Sequence, residues 1–174
     1  TLMLADMGAE VLKIEPPAGD PMLHVGPKAQ GDAGLSSVYY NAVNAGKTVL
    51  RLDLKEQAAK DRLIDLVRGY DVLVEGFRPG VMQRIGLGPK ELLAVNSRLI
   101  YCSLSGYGES GPLSSAAGHD INYVANSGIT HRNGKDAPVF YDPPVADLSS
   151  ALFTIITILG ALRKRDQDGA GCRL

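Results

Sequence analysis

Apolar and polar positions alternate through Glu10-Val11-Leu12-Lys13-Ile14-Glu15, and Pro16-Pro17 stops the run, which predicts a short strand. Before it, Leu2, Leu4 and Met7 read as the end of a helix, with Gly8 as its C-cap. Residues 18–35 are rich in Gly, Pro and Asp and predict a loop, and residues 36–46 a short helix carrying Tyr39 and Tyr40. Thr48 to Leu54 predicts the next strand. Asp53, with Glu56 three positions later, has the form of a capping box for a helix over 55–68, which places Leu63, Leu66 and Val67 on one face. Gly69 ends that helix, and Asp71 to Glu75 is a short apolar run of the kind found in a parallel sheet covered on both faces.

The second half repeats the alternation. A turn at Phe77-Arg78-Pro79-Gly80 leads to short helices over 81–85 and 89–95, then to a strand over Leu99–Leu104. A glycine-rich loop runs from Gly106 to Gly118, His119 to Ser127 reads as one or two helical turns, and residues 128–146 read as irregular. A helix follows from Asp147 to about Arg165, apolar on nearly every face between Leu148 and Leu162 and therefore expected to be buried. The cluster Arg163-Lys164-Arg165 reads as a solvated helix end that suits the dipole. A last strand starts near Gly171. Strands alternating with helices at this spacing predict an α/β domain with a mainly parallel sheet.

Composition narrows the function more than the fold. In 174 residues, 45% are hydrophobic, enough for one core, and the net charge of -1 gives no support to a nucleic-acid or membrane-surface partner. Cys102 and Cys172 stand far apart with no metal-ligand spacing, which fits a reducing, cytoplasmic setting without disulfides or a metal. The apolar run from Leu148 to Leu162 is expected to be too short to cross a bilayer. Both ends read as cut, so the chain is expected to be part of a longer protein and to expose apolar surface that a partner or a further segment would cover.

Familiar chemical motifs are few. There is no P-loop, no GxGxxG after a strand, no nucleophile elbow and no HExxH. What remains is Gly118-His119-Asp120-Ile121-Asn122-Tyr123 together with Asp147 in Pro144-Val145-Ala146-Asp147-Leu148. Each stands at the mouth of a predicted helix, and His119 follows a loop at the carboxyl end of a strand, where open α/β sheets bind ligands. An imidazole and a carboxylate there can exchange protons with a substrate. The plainer alternative for Asp147 is an N-cap, and for His119 a loop residue that packs or hydrogen-bonds.

The blocks Ala5 to Glu15, Asn44-Ala45-Gly46-Lys47-Thr48, Asp71 to Gly80 and Gly118 to Tyr123, taken in order, closely resemble the class III CoA-transferase family. That family holds formyl-CoA transferase, carnitine and bile-acid CoA-transferases and 2-methylacyl-CoA racemase. The resemblance covers essentially the whole chain. It implies a Rossmann-like large domain, of which residues 1–174 would be a part without its first strand or the C-terminal half of the family, and a homodimer interlocked like two links. It also implies coenzyme A thioester substrates and no metal.

The resemblance assigns residues as well. Asp147 falls at the catalytic aspartate, a nucleophile in the transferases and an acid/base group in the racemases. His119 falls at the second acid/base group of the racemases, where transferases mostly carry Tyr. It implies CoA contacts at Leu52, Asp53, Leu54 and Lys55, at Gly76, Phe77 and Arg78, at Arg84 and Ile85, and at Ala117 and Gly118. Two positions depart from the pattern: Leu23 follows Gly19-Asp20-Pro21-Met22 where an Arg on a CoA phosphate is usual, and Leu148-Ser149-Ser150-Ala151 replaces the glycines racemases carry after the aspartate. Three readings are open: a 2-methylacyl-CoA racemase using His119 and Asp147, a CoA-transferase using Asp147 as nucleophile, and a non-catalytic nucleotide-binding piece.

Overall fold

A computed structural model describes residues 1–31, 34–134, 136–140 and 142–174, and within it the chain divides into two compact units, Thr1–Arg62 and Leu63–Leu174. In the first unit, helix α1 (Leu2–Asp6) is closed at Gly8, whose φ of 96° turns the chain so that the Ala9 amide reaches back to Leu4 O. Strand β1 (Val11–Glu15) pairs in parallel with β4 (Lys47–Arg51), Val11 opposite Lys47 and Glu15 opposite Arg51. Between them, residues expected to form a loop build a 3₁₀ turn (Pro21–His24) and an antiparallel hairpin, β2 (Lys28–Gly31) with β3 (Gly34–Ser37). Positions 32 and 33 of that expected loop lie outside the described residues. Ser37 ties the hairpin to the next helix, α2 (Val38–Asn44): its hydroxyl donates to Val25 O and accepts from the Tyr40 amide in the first turn of α2.

The expected capping box at Asp53 and Glu56 does not form. The Asp53 carboxylate accepts from the Lys55 amide, so it closes a tight turn before the helix, and α3 begins later, at Gln57, and runs to Val67. In that helix Leu63 and Val67 are buried.

The second unit carries a three-stranded, all-parallel sheet, β5 (Val72–Glu75), β6 (Ile100–Ser103) and β7 (Cys172–Arg173), with β6 in the middle. Parallel pairing is as expected, but the strands form two separate parallel sheets where one Rossmann-like sheet was expected. Leu99, Ile100 and Tyr101 have no exposed surface, and Leu87 and Leu92 pack with equal completeness around the short helices α4 (Val81–Arg84) and α5 (Pro89–Val95). Each such side chain contributes roughly 1.5–3 kcal/mol through the surface it removes from water. Asn96 ties these layers by donating to the carbonyls of Val67 and Tyr70.

After β6 come α6 (Asp120–Asn126), a short α7 (Ile129–Asn133) inside a segment expected to be irregular, and the long α8 (Val145–Asp168). Residues 135 and 141 of that segment lie outside the described residues.

Helix α8 departs from the expectations in four respects. It begins before Asp147 and ends after Arg165. With 24 residues and a mean hydropathy of 1.9 in its most apolar window, it is long and apolar enough to cross a membrane by length and composition alone, a test that core helices also pass. Nor is it buried all round: Ile155, Ile158, Ala161 and Arg165 form its covered stripe, while Phe153 and Ile156 stand 68% and 63% exposed. One stripe meets β6 and α6, and among the described residues nothing covers the other apolar face. Arg165 is not a solvated end. It is buried, bonds Asp71 at 2.9 Å and donates to Arg98 O, pinning the C-terminal part of α8 over the sheet.

Candidate active site

The carboxyl ends of β5 and β6 open into a groove of about 1020 Å³ that lies wholly within the second unit. That size is at the upper end of ordinary ligand sites. One wall is the turn after β5, with Gly76, Phe77 and Arg78. Another is the loop leading into α6, with Ala117, Gly118 and His119. The third is α8, from Asp147 along Ser150 and Thr154 to Thr157. The groove therefore brings together His119, Asp147 and five of the residues implied for CoA. Arg84 and Ile85 do not line it; Arg84 is exposed on α4. Leu52 to Lys55 belong to the first unit, in the turn after β4, where the Leu52 amide donates to Glu15 O at 2.9 Å.

The loop after β6 is held by aromatic packing. Tyr123 of α6 donates its hydroxyl to Gly118 O at 2.7 Å and meets Tyr107 edge to face, ring centroids 5.0 Å apart. A Cβ on Gly106 would lie 2.1 Å from the Tyr123 hydroxyl, so only glycine lets the loop pass beside that ring. The close approach fixes the entry into α6 and with it His119, whose amide donates to the Asn122 side chain at 2.9 Å.

Asp147 does not cap its helix. The N-cap position is Pro144, which places Asp147 in the first turn with its carboxylate left to face the groove. The capping is done from a distance: Asp120 Oδ1 accepts from the Ala146 amide at 2.6 Å and from the Asp147 amide at 3.1 Å. The sequence carries no local signal for this role of Asp120, because the bond spans 26 residues. The pair of acids has an electrostatic consequence. Partial removal from water raises the Asp147 pKa, the Asp120 charge raises it further, and His119 opposes both. Tyr123 is also pushed up, by desolvation and then by the nearby Tyr107 and Asp147. A carboxyl held above its ordinary range, facing a groove beside an imidazole, can take up and return a proton, and its ionised form can attack an acyl carbon.

Comparison with known proteins covers the full chain. The family model for CoA-transferase family III matches residues 1–174. The acetyl-CoA:oxalate CoA-transferase of Acetobacter aceti is 38% identical over 183 residues, taking in 100% of this chain and 45% of that protein. The alpha-methylacyl-CoA racemase of Mus musculus is also 38% identical, over 98% of this chain and 41% of its own length. The crystal structure of a CAIB/BAIF family protein from Brucella suis superposes with a TM-score of 0.95 at 32% identity, covering 99% of this chain and 47% of that one. The chain thus spans less than half the length of these relatives. With the family model matched from end to end and the fold shared with a solved member, the chain belongs to CoA-transferase family III.

Proposed function

We propose that this chain forms part of an enzyme of the 2-methylacyl-CoA racemase type, acting on acyl-CoA thioesters with His119 and Asp147 as its two acid/base groups. The observation that carries the reading is that both side chains line one groove, on walls built by different helices. In one direction the Asp147 carboxylate removes the proton from the carbon next to the thioester carbonyl. The electron pair passes into the enolate, and the His119 imidazolium returns a proton to the opposite face. Arg78, exposed at the groove wall, suits a nucleotide phosphate. Leu52 to Lys55, Arg84 and Ile85 enter as CoA contacts on the resemblance alone. So does the interlocked homodimer, while the cytoplasmic setting rests on Cys102 and Cys172, two cysteines far apart and without metal-ligand spacing.

A second reading is favoured by Leu148-Ser149-Ser150 after the aspartate, which matches the transferase branch. There the ionised Asp147 attacks the thioester carbonyl, CoA thiolate leaves, and an acyl-aspartyl anhydride forms. The thiolate then attacks the aspartyl carbonyl and releases the first carboxylic acid. A second carboxylate finally takes the CoA by the reverse steps, leaving Asp147 free.

Deuterated water separates the two in the enzyme at the full length of its relatives. A racemase washes deuterium into the α-carbon of a 2-methylacyl-CoA; a transferase moves labelled carboxylate into the thioester. Replacing His119 by Gln is expected to reduce racemisation by about 10²–10⁴-fold and to leave carboxylate exchange nearly intact. Asp147→Asn is expected to end both. Racemisation at the original rate in the His119→Gln enzyme would turn the assignment to the transferase reading, as would an Asp147 acyl species trapped by hydroxylamine with no deuterium entering.

A further inference from the structure

The amides of Ala146 and Asp147 belong to the first turn of α8, where backbone donors have no partner within the helix. A helix commonly meets that need with a side chain at its own N-cap. Here the N-cap position is Pro144, whose side chain has no acceptor and whose carbonyl is taken by the Leu148 amide. Both amides are taken instead by one oxygen of Asp120, at 2.6 and 3.1 Å. Hydrogen bonds to an ionised acceptor are short and about twice as strong as neutral ones. Asp120 is the first residue of α6 and comes directly after His119. One carboxylate therefore joins the backbone that carries the candidate imidazole to the backbone that carries the candidate carboxylate.

We propose that Asp120 is the positioning residue of this site: its carboxylate fastens the first turn of α8 to the start of α6 and so sets the separation of His119 and Asp147 across the groove. The inference rests on the reading that Asp147 does the chemistry, under either the racemase or the transferase mechanism. Asp120 need not touch substrate. Its work is done on two peptide groups, and the charge it brings has a second effect on the neighbouring carboxyl. The charges that bear on Asp147 are those of Asp120 and His119, both at the start of α6, and Asp147 in turn raises the Tyr123 phenol. Of these, Asp120 is the one that opposes ionisation of Asp147 through its charge, and His119 favours it.

The test uses the full-length enzyme and compares Asp120→Ala, Asp120→Asn and Asp147→Asn. Alanine removes the acceptor, so the amides of Ala146 and Asp147 should exchange with deuterium faster, and kcat should fall on the order of 10²-fold, the loss expected from a misplacement of about an ångström. Asparagine keeps a neutral acceptor and removes the charge. It should retain amide protection and most of kcat, while the acid limb of kcat/KM moves to lower pH, because Asp147 then ionises more readily. A merely structural role would not move that limb. An alanine variant with native kcat and native amide protection would overturn the proposal. If that variant does not fold, an asparagine variant with an unmoved acid limb overturns it. The Asp147→Asn enzyme tests the underlying reading separately: full activity there removes Asp147 from the chemistry, while faster exchange at Ala146 and Asp147 in Asp120→Ala would still establish the fastening.

Discussion

Glu15 at the end of β1 and Asp147 in the first turn of α8 are both carboxylates with displaced acidity, and their surroundings are opposite. Glu15 is 2% exposed. Tyr40 donates to its Oε1 at 2.7 Å, and Lys13 reaches the same oxygen at 2.9 Å while also bonding Asp20 and standing 4.7 Å over the Tyr40 ring. Burial alone would raise the Glu15 pKa, yet the Tyr40 and Lys13 hydrogen bonds and the Lys13 charge bring it below the ordinary range. Asp147 is far more open and its pKa is raised, because desolvation and a second carboxylate oppose its charge with only His119 against them. Company, more than burial, sets the sign. A carboxylate whose charge is matched serves the fold; one whose charge is opposed is available for reaction.

The first way to break this comparison is to take the cation from Glu15. Lys13→Met leaves a buried carboxylate without its partner, with Oε2 already unbonded. The expected loss is about 3 kcal/mol, at the lower end for a broken buried pair because Lys13 is partly exposed. Denaturant melts measure it, and adding Glu15→Gln should restore a good part, since the orphaned charge is then gone. A loss under about 1 kcal/mol would put Glu15 in the same class as Asp147. The pH dependence has a definite sign. Glu15 and Asp20 have lowered folded-state pKa values, so their contribution is present above the unfolded carboxylate value and is lost as pH falls through the folded ones. Burial pulls the Lys13 pKa down, but the bonds to Asp20 and Glu15 leave it raised, so its contribution is lost only as pH rises through that raised value. The acid-side slope should flatten in Lys13→Met.

Tyr40→Phe is a smaller version of the same experiment. It removes one O–H donor to a carboxylate that keeps its lysine, and should cost about 1.5 kcal/mol by the same melts. A cost near that of Lys13→Met would mean that the phenol, and not the ammonium, carries the match.

The two carboxylates also mark how far the sequence could be read. Strands β1, β4, β5 and β6 were legible because their apolar runs are bounded by Pro, Gly or Asp, and His119 and Asp147 were legible as residue types at the mouths of helices. The β2–β3 hairpin was not, because Lys28-Ala29-Gln30-Gly31 has no apolar alternation and is held by its ladder to β3 and by the bond from Ser37 to Val25. Asp53 looked like a cap because the spacing to Glu56 is right; the tight turn it closes has the same composition. Helix α8 showed its existence through hydropathy, but composition cannot say which stripe meets β6, and Arg165 looked like surface until Asp71 and the Arg98 carbonyl were found beside it. The bonds that define the two carboxylates, Tyr40 to Glu15 and Asp120 to the amides of α8, join residues 25 to 27 positions apart. Nothing in a single sequence prints such pairs.

The smallest expected effect sharpens the comparison most. Asp147→Asn keeps the shape of the side chain and removes a charge that desolvation and Asp120 oppose. The dipole of α8 favours a negative group in its first turn, which offsets part of that opposition. The groove is open to water, which screens the rest. Stability should therefore stay equal or rise by at most about 0.5 kcal/mol, while the chemistry assigned to Asp147 is lost. The sign can be traced with pH. The folded-state pKa of Asp147 lies above its unfolded value, so folding becomes more favourable for the native sequence as pH falls through it. Any advantage of the Asn variant should then be present at neutral pH and vanish once Asp147 is protonated in both states. Melts of the two proteins at neutral pH and near the acid limit would show this convergence. If Asp147→Asn instead costs more than about 1 kcal/mol at neutral pH, the carboxylate is holding the fold as Glu15 does, and the contrast between a matched and an opposed acid fails.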